Sequence, residues 1–194
     1  MAVLAGRGRA QGALHGVLLA CAMSLSFIGR GSAQGQRFNE QDVKAVFLFN
    51  FAHFTEWPAQ AFPDARAPLV IGLLGDDPFG RALDEAVAGE TVRNRPLVVS
   101  RFRRVEDIGA CHILFISSSE ARSHAGIFAR LEGRPILTVG ETEGFARRGG
   151  MIRFVSEQTR IRLRVNVGAI RSAGLVVSSR LLRAAEIVDT AHTP

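Results

Sequence analysis

Three short runs built almost wholly of apolar residues decide most of what this chain can become. They are Leu69 to Gly75, the stretch His112 to Ser117 around Ile-Leu-Phe-Ile, and Ile136 to Val139. A strand with one wet face alternates apolar and polar residues, whereas a strand apolar throughout is buried on both faces. Between these runs lie stretches of helical period. Phe79 to Ala88 places Phe79, Leu83, Ala86 and Val87 on one side, and Glu120 to Leu131 is the second such stretch. Leu97 to Phe102 reads as a further strand, while Val105 to Ala110 and Thr142 to Arg147 read as helical turns. Strands alternating with helices at this spacing predict a mostly parallel sheet with helices on both faces, a three-layer α/β sandwich.

Beyond Gly149-Gly150 the pattern changes. Met151 to Val155 and Arg160 to Val165 are separated by four polar residues, and in the second run Ile161, Leu163 and Val165 alternate with Arg160, Arg162 and Arg164. One face packs and the other is wet, so the pair is expected as an antiparallel hairpin at the edge of the sheet. Arg153, Arg160, Arg162 and Arg164 then share one exposed face. That face is either solvated charge protecting an edge or a basic surface that meets an acidic partner. The remainder, Asn166 to Val188, is expected to be helical, turning Leu175, Leu181, Leu182, Ala185 and Val188 toward the core.

Ahead of the first strand, Val43 to Pro58 reads V-K-A-V-F-L-F-N-F-A-H-F-T-E-W-P. Val43, Val46, Phe47, Phe51, Phe54 and Trp57 recur at helical spacing, with Asn39 as cap, Glu40 and Asp42 in the first turn and Pro58 as the stop. The alternation of Phe47, Phe49 and Phe51 also fits a strand. Lys44, His53 and Glu56 interrupt the run, which is too short to cross a bilayer. Ala59 to Pro68 is a proline-rich loop.

Residues 1–33 have the build of an export signal. Arg7 and Arg9 precede the apolar stretch Gly16 to Ile28, and Gly31-Ser32-Ala33 is a small-residue cleavage site. A rival reading takes Leu18 to Cys21 as a lipobox, with the chain anchored as a lipoprotein at Cys21. Cleavage after Ala33 leaves residues 34–194 as one domain, long enough to bury a proper core. The whole chain has 24 basic and 18 acidic residues. Arg7, Arg9 and Arg30 leave with the signal, so the mature chain keeps 21 basic residues and a formal charge of +3. A charge so small and so spread argues against nucleic acid as a partner. Cys111 is then the sole thiol, and a lone thiol forms no internal disulfide. Its apolar surroundings suggest a buried inert group; a reactive or intermolecular thiol is the other reading.

In a sheet of this kind ligands gather at the carboxyl ends of the parallel strands. Asp76, Ser117, Ser118 and Glu141 stand there as a candidate small-ligand crevice, with plain capping and turn formation as the competing account. The glycines at 72, 75 and 80 make no dinucleotide fingerprint, and His53, His112, His124 and His192 have no metal-ligand spacing. No G-x-S-x-G is present, and Ser117 has no recognisable histidine and acid partners. The sequence points to no catalytic residues, no metal and no cofactor.

Three segments together carry a likeness. They are Val43 to Pro58, the stretch Cys111-H-I-L-F-I-S-S-S-Glu120, and a tail in three pieces: Gly149-G-M-I-R-F-V, Arg160-I-R-L-R-V-Asn166 and Gly174 to Val188. Leu137-T-V-Gly140 and Gly144-F-Ala146 fit between them. With these the chain resembles the YfiR family of periplasmic regulatory proteins. The resemblance implies an exported α/β protein that is not an enzyme. The same resemblance implies that such a protein represses an inner-membrane diguanylate cyclase, or a related sensor, by contact, and so lowers cyclic di-GMP and biofilm growth. It also brings in an outer-membrane lipoprotein that sequesters the repressor. Characterised relatives use cysteine pairs, which this mature chain lacks. The identity of the partner, the triggering signal and the formation of a homodimer stay open at the level of sequence. So does an alternative reading, a periplasmic small-ligand sensor that uses the strand-end crevice.

Overall fold

The computed structural model describes residues 39–158 and 160–188. The expected export signal, the alternative lipid anchor Cys21 and the expected start at Gln34 lie outside the described residues. The first helix, α1, runs Glu40–Phe54; the Asn39 side chain accepts the Gln41 N–H at 3.2 Å, and Glu40 and Asp42 occupy the positive first turn. It ends three residues before Trp57, because Thr55–Glu56 turn extended and form strand β1. Trp57 stands off the helix, its indole N–H donating to the His112 carbonyl at 3.1 Å. The buried face is also rotated from the expected one. Lys44, Ala45, Leu48, Phe51 and Ala52 are buried, whereas Val46 is 49% exposed. A helix apolar on nearly every side does not define its own inner face.

Strand β2 is Leu69–Leu74, buried at every residue, and helix α2, Arg81–Val87, lays Leu83 and Val87 on the core. Strands β3, Thr91–Val92, and β4, Arg95–Phe102, form a tight hairpin. Its two turn residues, Arg93 and Asn94, have φ of 50° and 64°, the left-handed pair that such a hairpin turn demands. Then come β5, Ile113–Ile116, helix α3, His124–Leu131, and β6, Leu137–Gly140. Strands β7, Ile152–Glu157, and β8, Arg160–Val165, make the antiparallel hairpin.

The C-terminal part is not one helix. It divides into α4, Val167–Ser172, strand β9, Val176–Val177, α5, Ser179–Arg183, and strand β10, Ala185–Ile187. Asn166 caps α4 by accepting the Ala169 N–H at 2.9 Å, and Gly174, at φ +69°, turns the chain out of it. Left-handed geometry is cheap for glycine and suits a helix end. Val176 and Val177 then pair with Glu56 and Thr55 of β1, and β10 runs parallel to β8.

The main sheet has the order β10-β8-β7-β6-β5-β2-β4-β3, with β7, β6, β5, β2 and β4 mutually parallel. The hairpin lies toward one end of the sheet, with the three residues of β10 outside it. On one face Leu69, Ile71, Leu73, Ile113, Phe115, Leu137 and Val139 pack against α1, α2, α4 and α5. On the other, Leu74, Leu114 and Ile116 meet Ile127 and Leu131 of α3 and the ring of Phe145. The layers are therefore helix, sheet and helix, as the uninterrupted apolar strands require. Among the described residues no helix is long and apolar enough to cross a membrane.

Cys111 lies in the second of these packing clusters, 7% exposed. Its thiol donates to the Ile113 carbonyl at 3.2 Å, and burial pushes its pKa up to about 12. A thiol so held is protonated and poorly nucleophilic at neutral pH. Protein beginning at Gln34, and so without Cys21, should when folded consume no maleimide-type reagent over a time in which its urea-unfolded form consumes one equivalent. Reductant should leave its melting temperature unchanged. Rapid labelling of the native state would show that the site opens.

Candidate functional site

The chain leaves β2 toward β4 on one side and later leaves β5 toward β6 on the other, so the loops after β2 and β5 flank the topological switch point. There the structure brings Asp76 and the serines together. The Asp76 backbone N–H donates to Ser119 Oγ at 3.1 Å, and Ser117 Oγ accepts the Ser119 N–H at 3.4 Å. Gly75 holds φ +86°, and a Cβ there would overlap Ser119 Oγ. Asp77 accepts the N–H groups of Phe79 and Gly80 at 2.7 and 3.1 Å and pairs with Arg101 at 2.8 Å. Burial works to raise its pKa, but Arg101 and the two N–H groups outweigh burial, so the carboxyl lies below its usual range. Arg101 also forks onto Asp84 at 2.8 and 3.1 Å. The two loops are thus pinned to each other and to β4.

Glu141, at the end of β6, faces another way. Its carboxylate takes the Lys44 ammonium at 2.6 Å. Lys44, the only lysine in the sequence, is 2% exposed and pairs equally closely with Glu40, at 2.5 Å. Glu40 in turn accepts the Ser156 hydroxyl at 2.5 Å. The Lys44 ammonium therefore joins helix α1 to the end of β6, and Glu40 of the same helix joins it to strand β7. In the sequence Lys44 interrupts an apolar face, and its being the only lysine is the one local hint of this role.

The arginines of the hairpin fall where their alternation predicts. Arg153 stands opposite Arg164, Val155 opposite Arg162 and Glu157 opposite Arg160. Directly opposed residues, and residues two apart, share a face of a sheet. All four arginines are therefore on one side, opposite the side on which Phe154 and Leu163 are buried. Arg162 pairs with Glu157 at 2.5 Å and Arg164 with Glu186 of β10 at 3.0 Å. At the inner end of this face lies a concavity of about 420 Å³, in which Arg153 and Arg164 are joined by Arg147 and Arg148 from the loop after β6. Those two arginines were outside the expected set. The R-R pair beside Gly149-Gly150 was visible, but its placement over β7 and β8 is a tertiary fact.

His112 and His124 are both buried and neither belongs to a metal cluster; among the described residues no group of three His, Cys, Asp or Glu is arranged to hold an ion. His112 Nδ1 accepts the Val70 N–H at 3.0 Å, which leaves Nε2–H to donate to the Ala61 carbonyl at 3.2 Å. Its ring stacks on Phe62 at 4.3 Å. His124 lies against Phe128 and Phe145, with ring centroids at 5.6 and 5.2 Å, and neither ring nitrogen has a hydrogen-bond partner among the described residues. Burial depresses both pKa values below the ordinary 6.5, with Arg95 adding to the effect at His112 and Arg148 at His124.

A depressed histidine pKa means that the unfolded chain binds protons the folded chain refuses. The stability that neutral His112 and His124 contribute is full above pH 6.5 and is lost as pH falls from there through their depressed folded values. The urea midpoint should therefore decline between pH 7.5 and 5.5. A His112→Phe variant, less stable at pH 7.5, should decline less steeply. Equal slopes would remove His112 from the account.

A family model described as YfiR/HmsC-like matches residues 41–186. No curated protein matches the chain.

Proposed function

The chain belongs to the YfiR/HmsC-like family, and from that premise we propose that it is a periplasmic regulator of cyclic di-GMP signalling. It restrains an inner-membrane diguanylate cyclase, or a related sensor, by protein contact and not by catalysis. The single observation that supports contact is the basic face of the β7–β8 hairpin. Four arginines stand on it in register, on a part of the sheet whose other side is packed into the core. An acidic segment of a partner would complement such a face and be steered to it. An outer-membrane lipoprotein that removes the regulator from its target would complete the system. The small-ligand reading of the strand-end crevice has less support, since the Asp76 N–H, Ser117 Oγ and Glu141 carboxylate are already partnered within the protein.

The test of the contact surface is charge reversal at its outer end. Replacing Arg160 and Arg162 with glutamate removes the Arg162–Glu157 pair and sets a carboxylate opposite Glu157, a surface cost of about 1 kcal/mol that leaves the protein folded. In cells the same variant should fail to restrain the cyclase, and cyclic di-GMP should rise toward the level of a strain lacking the gene. Full restraint by a folded Arg160→Glu, Arg162→Glu protein would remove the hairpin tip from the contact.

A further inference from the structure

Among the described residues, the inner end of the hairpin face holds more guanidinium than its carboxylates neutralise. Arg147, Arg148, Arg153 and Arg164 line the concavity, with Glu143 and Val188 beside them. Of the four, Arg164 alone has a paired carboxylate among the described residues, that of Glu186 at 3.0 Å. Arg148 donates to the backbone carbonyl of Glu143. Arg153 reaches the Glu141 carbonyl at a long 3.4 Å, and the carboxylate of that same residue is held by Lys44. Arg147 has no hydrogen-bond or ion-pair partner among the described residues. Burial, then the neighbouring Arg164, push the Arg153 pKa below its ordinary value; Glu143 opposes them, and Arg148 and Arg147 add to them. Like charges gathered in a recess of this kind destabilise one another unless an anion joins them.

The origin of the four groups narrows the chemistry. Arg153 and Arg164 rise from adjacent strands, and Arg147 and Arg148 come from the loop that walls them in. Donors arriving from a floor and a wall suit an oxyanion with oxygens in several directions, and the guanidinium fork matches phosphate oxygens in pairs. A volume of about 420 Å³ is that of a small-molecule recess.

We propose that the Arg147–Arg148–Arg153–Arg164 concavity binds a phosphate-class anion carrying two or more negative charges, either a free phosphate compound or a phosphomonoester headgroup at a membrane surface. The site shares Arg153 and Arg164 with the proposed contact face, but its test needs no cyclase, so its failure is distinguishable from failure of the regulator reading.

The exported protein would be titrated with inorganic pyrophosphate by calorimetry at fixed ionic strength, and in parallel incubated with sedimenting vesicles containing phosphatidic acid. One-site pyrophosphate binding, weakened at least tenfold in Arg147→Ala with Arg153→Ala and unchanged in Arg81→Ala, identifies a soluble ligand. Vesicle capture with the same dependence on Arg147, without pyrophosphate binding, identifies a headgroup. Should the double variant fold poorly, Arg147→Ala alone keeps the test, since it removes an exposed side chain with no partner. Absence of both signals overturns the site. So does binding equal in wild type and Arg147→Ala, or heat reproduced by sodium chloride at the same ionic strength.

Discussion

Replacing Lys44 with alanine is expected to lower folding stability by about 3 kcal/mol, the low end of the cost of breaking a buried ion pair. The ammonium is 2% exposed, while its partners Glu40 and Glu141 are 38% and 24% exposed. Water can therefore resolvate the orphaned carboxylates in part, which keeps the loss from being larger. Burial works to discharge the ammonium, but the hydrogen bonds to Glu141 and Glu40 outweigh it and raise its pKa above the ordinary value. The hydrogen bond from Lys44, then that from the Ser156 hydroxyl, draw the Glu40 pKa down against its partial burial. The signs follow. Stability from Lys44 is full below its ordinary pKa and is lost as pH rises through the raised folded value. Stability from Glu40 is full above its ordinary pKa and is lost in acid. Urea denaturation should show a lower midpoint with an unchanged slope, and the variant should lose less stability than wild type on the alkaline side. Lys44→Met, which keeps a long apolar stem in the buried position, should cost less than alanine. A Lys44→Ala midpoint equal to wild type would mean that α1 is held by its apolar face alone.

Gly150→Ala is expected to be as damaging, again by about 3 kcal/mol, through overpacking at a site with no slack. A Cβ on Gly150 would overlap the Phe145 Cε1 and Cδ1 atoms, and a Cβ on Gly140 would lie 2.6 Å from the opposite edge of the same ring. Phe145 has no exposed surface and packs edge-on to His124 and Phe128 at 5.2 and 5.5 Å, so it cannot swing aside. The two glycines make the slot that anchors the 141–151 loop, and with it Arg147 and Arg148. Gly150→Ala combined with Phe145→Ala should lose less than the sum of the single variants, because the second change removes the overlap. Simple additivity, or a Gly150→Ala protein as stable as wild type, would contradict the packing described.

What the sequence made legible follows the same physics. Strands β2, β5 and β6 were readable because burial on both faces leaves a contiguous apolar run. The hairpin face was readable because a period of two separates Arg160, Arg162 and Arg164 from Ile161, Leu163 and Val165. The phase of α1 was not, since phenylalanines surround it and the deciding contact, Lys44 to Glu141, spans 97 residues. Nor were β9 and β10: strands of two and three residues exist because Thr55–Glu56 and Arg160–Val165 offer them an edge, not because of any local preference. The concavity was half legible. Arg153 and Arg164 belong to the alternation, whereas Arg147 and Arg148 are brought to it by a loop whose course depends on where Phe145 is seated.

The regulator reading is tested most directly by cyclic di-GMP itself, measured in otherwise identical cells with the gene, without it, and with it restored in trans. The strain must carry the membrane-bound cyclase that the protein is proposed to restrain. The account predicts that the nucleotide rises several-fold on deletion and returns to its starting level on restoration. A level that does not change when the gene is removed would contradict it.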